Sequence, residues 1–256
     1  MIKGILLDIG GVLYVGDEAL PGSVEAVGRL KAAGLAVRYI TNTTRTPRRA
    51  LLAKLQGFGV AATADELFMP AIAARRVLEA RRLTPHLLIH PNLEEDFAGL
   101  PDGAGTAVVI GDAADGFTYA ALNQAFRSLE EGAAFLALAT NRSFQDDDGA
   151  LSLDAGPFVA ALEYATGRTA TVLGKPSPDF FGAAVASLGC AASEAVMLGD
   201  DVEADIAGAM AAGLGGVLIK TGKYRDGDET RIDPPPTAVA ADLARAADWL
   251  LARIDV

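Results

Sequence analysis

Four places in this 256-residue chain carry polar groups where apolar runs stop. Asp8 ends the run in "GILLDIGGVL", and Thr41 and Asn42 follow "AVRYI". Lys175 stands in "VLGKPSPDFF", and Asp200 and Asp201 follow "AVMLG". Phosphoryl transfer needs a nucleophile in line with phosphorus, donors for the non-bridging oxygens, a fixed cation, and an acidic pair for Mg²⁺. These positions offer one candidate for each need. Asp8 and Asp200 supply hard carboxylate oxygens, which suit Mg²⁺. Lys175 precedes Pro176, a poor place for an ordinary surface-helix lysine. Taken alone, Asp8 reads better as a plain strand exit with Asp as turn former, and the rest of the chain must decide. Gly10 and Gly11 allow the backbone behind it to bend tightly and to approach a ligand.

The elements around these positions alternate. The pattern predicts a strand over 2–7, a helix over 23–33, a strand over 35–40, and a helix over 47–55 closed by Gly57 and Gly59. Late in the chain it predicts a strand over 195–200, a helix over 204–212, a strand over 216–219, and one last helix over 238–254. Strands alternating with helices imply a parallel sheet covered on both faces. Ligands of such sheets bind beyond the carboxyl ends of the strands, where the candidate residues stand.

The middle of the chain, 70–171, is a second alternating α/β stretch. It contains "HLLIH", "GTAVVIGDA", a helix over 119–130, "AAFLALATNRSF", a polar turn "QDDDGA", and a helix over 157–166. It reads as an inserted domain, since the phosphate-site signals fall on either side, in 1–69 and 172–256. The run Asp146–Asp148 lacks the alternating spacing of a calcium loop and reads as a solvated turn. His86 and His90 share a strand face but have no third ligand nearby, so they read as strand-end polar residues.

Composition narrows the function. Hydrophobic residues are 51% and charged residues 21%, which is globular. A net charge of −11 argues against a nucleic-acid or anionic-membrane partner, so an anionic substrate must be met by a local cation. No apolar run nears the roughly 18 residues of a membrane helix, and the N-terminus lacks a secretory pattern. One cysteine, Cys190, excludes an internal disulfide framework and fits a reducing, cytoplasmic setting. Its place at a helix end reads as a small buried residue.

The order Asp, Thr-Asn, Gly-Lys-Pro and Gly-Asp-Asp-x-x-x-Asp resembles the haloacid dehalogenase superfamily. The insertion between the second and third motifs resembles its large-capped (class IIA) subclass. The resemblance is carried by "LLDIGGVLY", "YITNTTR", "GPFVAALEYATG", "TVLGKPSPDFF", "AVMLGDDVEADIAGA" and "IKTGKYRDGDE", spread over nearly the whole chain. It implies a Rossmann-like parallel-sheet core with an inserted α/β cap, and a homodimer. It implies Asp8 as nucleophile, and Mg²⁺ held by Asp8, the carbonyl of Gly10, and Asp200. Gly10, Thr41, Asn42 and Lys175 would meet the phosphoryl group, with Lys175 neutralising charge on it and on Asp8. Asp201 and Asp205 would orient Lys175 or metal-bound water. On residues alone, Asp205 also fits a helix cap or a solvent-facing position.

The chain departs from the family at one decisive place. Most phosphatases of the superfamily carry an Asp two residues after the nucleophile as general acid and base, and here that residue is Gly10. General acid–base help is worth about 10²–10⁴ in rate. The expected activity is therefore a Mg²⁺-dependent phosphatase working through an aspartyl phosphate on small phosphorylated substrates with easily departing leaving groups, such as pyrophosphate and phosphoramidates. The turn 141–145 also departs from the relatives' pattern, which bears on substrate choice. Two other classes compete: a catalytically weak relative that binds a phosphorylated ligand or partner, and a phosphoacceptor signalling domain. The inserted stretch speaks against the second.

Overall fold

The computed structural model describes residues 1–145 and 150–254. The chain divides into two compact units, one of 1–41, 49–68 and 175–256, the other of 42–48 and 69–174.

The first unit is built on a six-stranded sheet. Its strands run in the spatial order Ala238–Ala240, Gly215–Ile219, Ala195–Gly199, Gly4–Asp8, Ala36–Ile40, Leu67–Phe68, and every pairing is parallel. Gly4–Asp8 is buried along its whole length, with no apolar–polar alternation. That is the pattern of a central parallel strand covered on both faces. Ser23–Ala32, Arg48–Gly57, Pro178–Leu188 and Leu243–Ile254 are helices of this fold. The last of these buries Leu243, Ala246, Ala247 and Leu250, the i, i+3, i+4, i+7 stripe of a helix laid on a sheet. Pro178 opens its helix, where a missing N–H costs nothing, and Gly189 closes it at φ 73°.

The second unit has its own four-stranded parallel sheet, in the order Thr171–Val172, Ala134–Ala137, Gly105–Ile110, Leu83–Leu88. Apolar clusters fill both faces: Val108, Phe135 and Val159 belong to one, Leu78, Val109 and Leu136 to the other. A short antiparallel pair joins Ser143–Gln145 to Leu151–Leu153. The polar turn expected at Asp146–Asp148 lies outside the described residues.

Several expectations need correction. Residues 238–254 are not one helix. Ala238–Ala240 is an edge strand in register with Val217–Ile219, and the helix starts only at Leu243. The alanine-rich sequence gives no periodic cue, but Asp242 accepts a hydrogen bond from Arg245 N (2.8 Å) and sets the boundary. The helix after Asp200 starts earlier than expected, as a π-helical turn over Val202–Ala207 that becomes α-helical at Gly208–Ala211. Cys190 is half-buried rather than buried, beside Gly4.

Candidate active site

The chain leaves Gly4–Asp8, adds Ala36–Ile40 and Leu67–Phe68 on one side, and later returns with Ala195–Gly199 on the other. The reversal of strand order between Gly4–Asp8 and Ala195–Gly199 is a topological switch point, where the strand ends part and leave a crevice. Leu7 is level with Leu198, so Asp8 and Asp200 emerge from adjacent strands at that crevice.

Lys175 lies between two carboxylates. Its Nζ is hydrogen-bonded to Asp8 Oδ1 and sits 2.6 Å from Asp205 Oδ1. Asp8 is 6% exposed, Lys175 4% and Asp205 1%, so this is a buried charge cluster. Asp205 therefore does not face solvent, and its Oδ2 also accepts the Asp201 N–H (3.2 Å) at the start of its own helix. Gly199 explains how it fits: a Cβ there would meet Asp205 Cγ at 2.6 Å, so only glycine lets the carboxylate pack under the strand end. Asp201 has a different set of partners. Its Oδ1 accepts from the N–H groups of Glu203 (3.1 Å) and Ala204 (2.9 Å), and its Oδ2 pairs with Lys223 at 3.2 Å.

Asp200 is gripped from two loops. Its Oδ2 accepts the backbone N–H of Lys223 at 2.7 Å. A Cβ on Gly11 would fall on that oxygen and lie 2.9 Å from Cγ; a Cβ on Gly222 would lie 3.0 Å from Cγ. Both glycines have positive φ, 85° and 54°, and Thr221 Oγ1 ties the loops by donating to the Gly11 carbonyl at 2.6 Å. Gly10 differs from its neighbour. It is exposed, its φ is not left-handed, and a Cβ there would meet nothing within 4 Å. Of the two glycines after Asp8, only Gly11 is required by the backbone.

The electrostatics are unbalanced. Ligand atoms of Asp8, Asp200 and Asp205 all lie within 4.8 Å of one another. Three buried carboxylates stand against one buried ammonium. Burial, with Asp205 alongside, pushes the Asp200 carboxyl up to about 6. Burial, with Asp8 and Asp201 alongside, pushes Asp205 up to about 6 despite Lys175. Asp8 is raised by burial and by Asp200, against the pull of Lys175. Burial alone would lower Lys175, but Asp205 and Asp8 outweigh it and hold the ammonium charged. The excess of two negative charges is what one divalent cation would cancel, and the donors are hard oxygens at nearly the spacing an octahedral ion needs, about 2.8–4.2 Å. The residues fit Mg²⁺. Lys175 pairs with both Asp8 and Asp205, so the three carboxylates share one ammonium.

Thr41 is buried one residue past Ile40, which is level with Asp8, and its N–H donates to the Phe68 carbonyl at 3.2 Å. Asn42 belongs to the second unit, where a Cβ on Gly174 would lie 2.6 Å from its Oδ1. His86 lies inside its strand, with Nδ1 3.1 Å from Ser128 Oγ, whereas His90 caps a 3₁₀ turn through Asn92 N. The residues missed at the sequence level are Thr221, Gly222 and Lys223. Their signal was the same as for Asp8: polar residues just past the carboxyl end of a buried strand, here Gly215–Ile219.

Residues 5–101 match the family described as haloacid dehalogenase-like hydrolase, and residues 172–246 match the related HAD-hydrolase-like family. The chain is 43% identical over 250 residues to human haloacid dehalogenase-like hydrolase domain-containing protein 2, covering 98% of this chain and 96% of the relative. It is 41% identical over 260 residues to the phospholysine phosphohistidine inorganic pyrophosphate phosphatase of Rattus norvegicus, covering 99% and 96%. Among solved structures it is similar to the p-nitrophenyl phosphatase of Archaeoglobus fulgidus (TM-score 0.89, 26% identity, 97% and 99% of the two chains). It is also similar to a glycerol phosphate phosphatase of Mycobacterium tuberculosis solved with magnesium (TM-score 0.81, 26% identity, 94% and 75%).

Proposed function

The chain belongs to the haloacid dehalogenase-like hydrolases, and from that premise we propose that it is a Mg²⁺-dependent phosphatase that forms an aspartyl phosphate on Asp8. The observation that carries the reading is the buried cluster of Asp8, Lys175, Asp205 and Asp200, with one ammonium against three carboxylates. A binding module has no use for a buried nucleophile held by a lysine, so the phosphate-binding alternative is not favoured.

In this mechanism a carboxylate oxygen of Asp8 attacks phosphorus, and the bond to the leaving group breaks with its electron pair on the departing atom. Water then attacks phosphorus and releases the Asp8 carboxylate with orthophosphate. Lys175 holds Asp8 in place and offsets the charge of the transferring oxygens; Asp205 keeps that ammonium charged and aimed. Asp8 and Asp200, with the Gly10 carbonyl, would hold Mg²⁺, which when bound supplies charge neutralisation at the phosphoryl oxygens. Thr41 and the Asn42 backbone would bind the phosphoryl group, and the second unit would serve as the cap.

Gly10 defines the substrate class. With no carboxylate there, nothing at that position protonates the leaving group, so substrates with good leaving groups are favoured: pyrophosphate, phosphoramidates and acyl phosphates over alcohol monoesters. The name of the relative from Rattus norvegicus includes the first two chemistries. A Mg²⁺-supplemented screen tests this. Pyrophosphate and phosphoramidates should exceed alkyl monoesters in kcat/KM by about 10² or more; equal rates on both classes would refute the assignment.

A further inference from the structure

Beyond the carboxylate cluster, the first unit has an open cavity of about 240 Å³, whose lining includes Asp200, Asp201, Lys223, Arg225, Asp228 and Arg231. Asp200 is shared between this cavity and the cluster, so the cavity borders the carboxylates of the candidate site. Its charges are unequal in their commitments. Arg231 is held by Glu203 and by Asp228, the latter at 2.9 Å. The Arg225 guanidinium donates to the Tyr224 carbonyl at 3.1 Å and pairs with no carboxylate among the described residues. Lys223 is anchored by its backbone N–H on Asp200, but its side chain is 65% exposed and its one pairing, with Asp201, is 3.2 Å long. Asp201 keeps two backbone N–H donors when Lys223 turns away. Two cations can therefore be recruited here without leaving a buried partner stranded.

We propose that Lys223 and Arg225 form a subsite for an anionic leaving group, making the enzyme selective for substrates whose departing half is itself a phosphate, with pyrophosphate the simplest case. This rests on the phosphatase reading above. It also supplies what Gly10 lacks. When the bond between the transferred phosphorus and the bridging oxygen breaks, the electron pair stays on that oxygen and the departing orthophosphate gains charge. Two cations facing it stabilise that charge in place of a proton. Lys175, buried between Asp8 and Asp205, serves the transferred phosphoryl group and is not available for this task. In a chain of net charge −11, such local cations are also what draws in a polyanion.

The test compares pyrophosphate with 4-nitrophenyl phosphate, whose leaving group carries no phosphate, using Lys223→Met, Arg225→Gln and the double variant. Thermal melts check the fold. The double variant should lower the ratio of kcat/KM on pyrophosphate to that on 4-nitrophenyl phosphate by about tenfold or more, mostly through KM, and Lys223→Arg should recover most of the loss. Equal losses on both substrates, or none, overturn the proposal. Calorimetry with Mg²⁺ and methylenediphosphonate, whose carbon bridge offers neither a P–O nor a P–N bond to cleave, gives an independent readout: binding weakens by about tenfold in the double variant while orthophosphate binding changes less. Unchanged methylenediphosphonate binding overturns the subsite even if the enzyme is active. A wild-type protein that hydrolyses neither substrate refutes the phosphatase reading instead, and the methylenediphosphonate titration still decides the subsite.

Discussion

Gly11→Ala and Gly10→Ala are adjacent, chemically identical changes with opposite expected outcomes. At position 11 the new Cβ falls on Asp200 Oδ2 and within 2.9 Å of Cγ, so the carboxylate must retreat by on the order of 1 Å to reach ordinary contact. That retreat breaks the 2.7 Å hydrogen bond from Lys223 N, a bond to a charged group worth about 1.5–3 kcal/mol. Holding alanine at a φ of 85° costs about 1–2 kcal/mol more. The sum, about 2.5–5 kcal/mol, corresponds to a melting temperature lower by about 5–20 °C. At position 10 nothing lies within 4 Å of the added Cβ and φ is not left-handed, so melting should stay within about 2 °C of wild type. Calorimetric melts of both variants, with and without Mg²⁺, make the comparison. Gly11→Ala should also lose most of the Mg²⁺-dependent rise in melting, because Asp200 has moved. If the two variants melt alike, the argument that Gly11 exists to admit Asp200 is wrong.

Three further outcomes are expected. Gly10→Asp, which the open space at Gly10 accommodates, should raise kcat/KM on alcohol monoesters by at most about 10² while changing pyrophosphate hydrolysis much less; steady-state kinetics on both classes decides it, and equal changes would show that a missing acid does not limit this enzyme. Asp205→Asn removes one of the two carboxylates that keep Lys175 charged, so kcat should fall by about 10–10² and the alkaline limb of the pH–rate profile should move to lower pH; an unmoved limb would contradict that role for Asp205. Asp200 and Asp205 have folded values near 6, above their ordinary carboxylate value, so their ionisation costs stability above about pH 6 and the cost is relieved as pH falls toward 4. Metal-free protein should accordingly melt higher at pH 5 than at pH 7.5, and added Mg²⁺ should raise melting more at pH 7.5; the reverse order would mean that the cluster is not repulsive.

Much of this was legible in the sequence because parallel strands buried on both faces are nearly unbroken apolar runs, and Asp8, Thr41 and Asp200 are where those runs break. The strand order follows from that pattern only in outline. Nothing local marks Ala238–Ala240 as a strand, since three small residues gain strand character only from pairing with Gly215–Ile219. Gly10 and Gly11 look alike in sequence; their difference is set by Asp200 and Gly222, which approach from the far half of the chain. Asp205 was ambiguous because a carboxylate near a helix start is ordinary, and its burial depends on Gly199 making room and Lys175 arriving from elsewhere. Lys223 was missed because its backbone N–H, rather than its side chain, is what fixes Asp200. The placement of 42–48 with the second unit depends on contacts such as Thr44 Oγ1 accepting from Asp112 N, 68 residues away.

The central claim is that Asp8 carries the phosphoryl group, and chemical trapping tests it most directly. Protein turning over pyrophosphate labelled on phosphorus, with Mg²⁺, is quenched in acid, reduced with borohydride, digested and sequenced by mass spectrometry. An aspartyl phosphate at Asp8 is converted to homoserine at position 8, and the account requires that product in the wild type and its absence in Asp8→Asn, which should also lose turnover. Sustained hydrolysis with position 8 recovered only as aspartate, or with the label on another side chain, would contradict it.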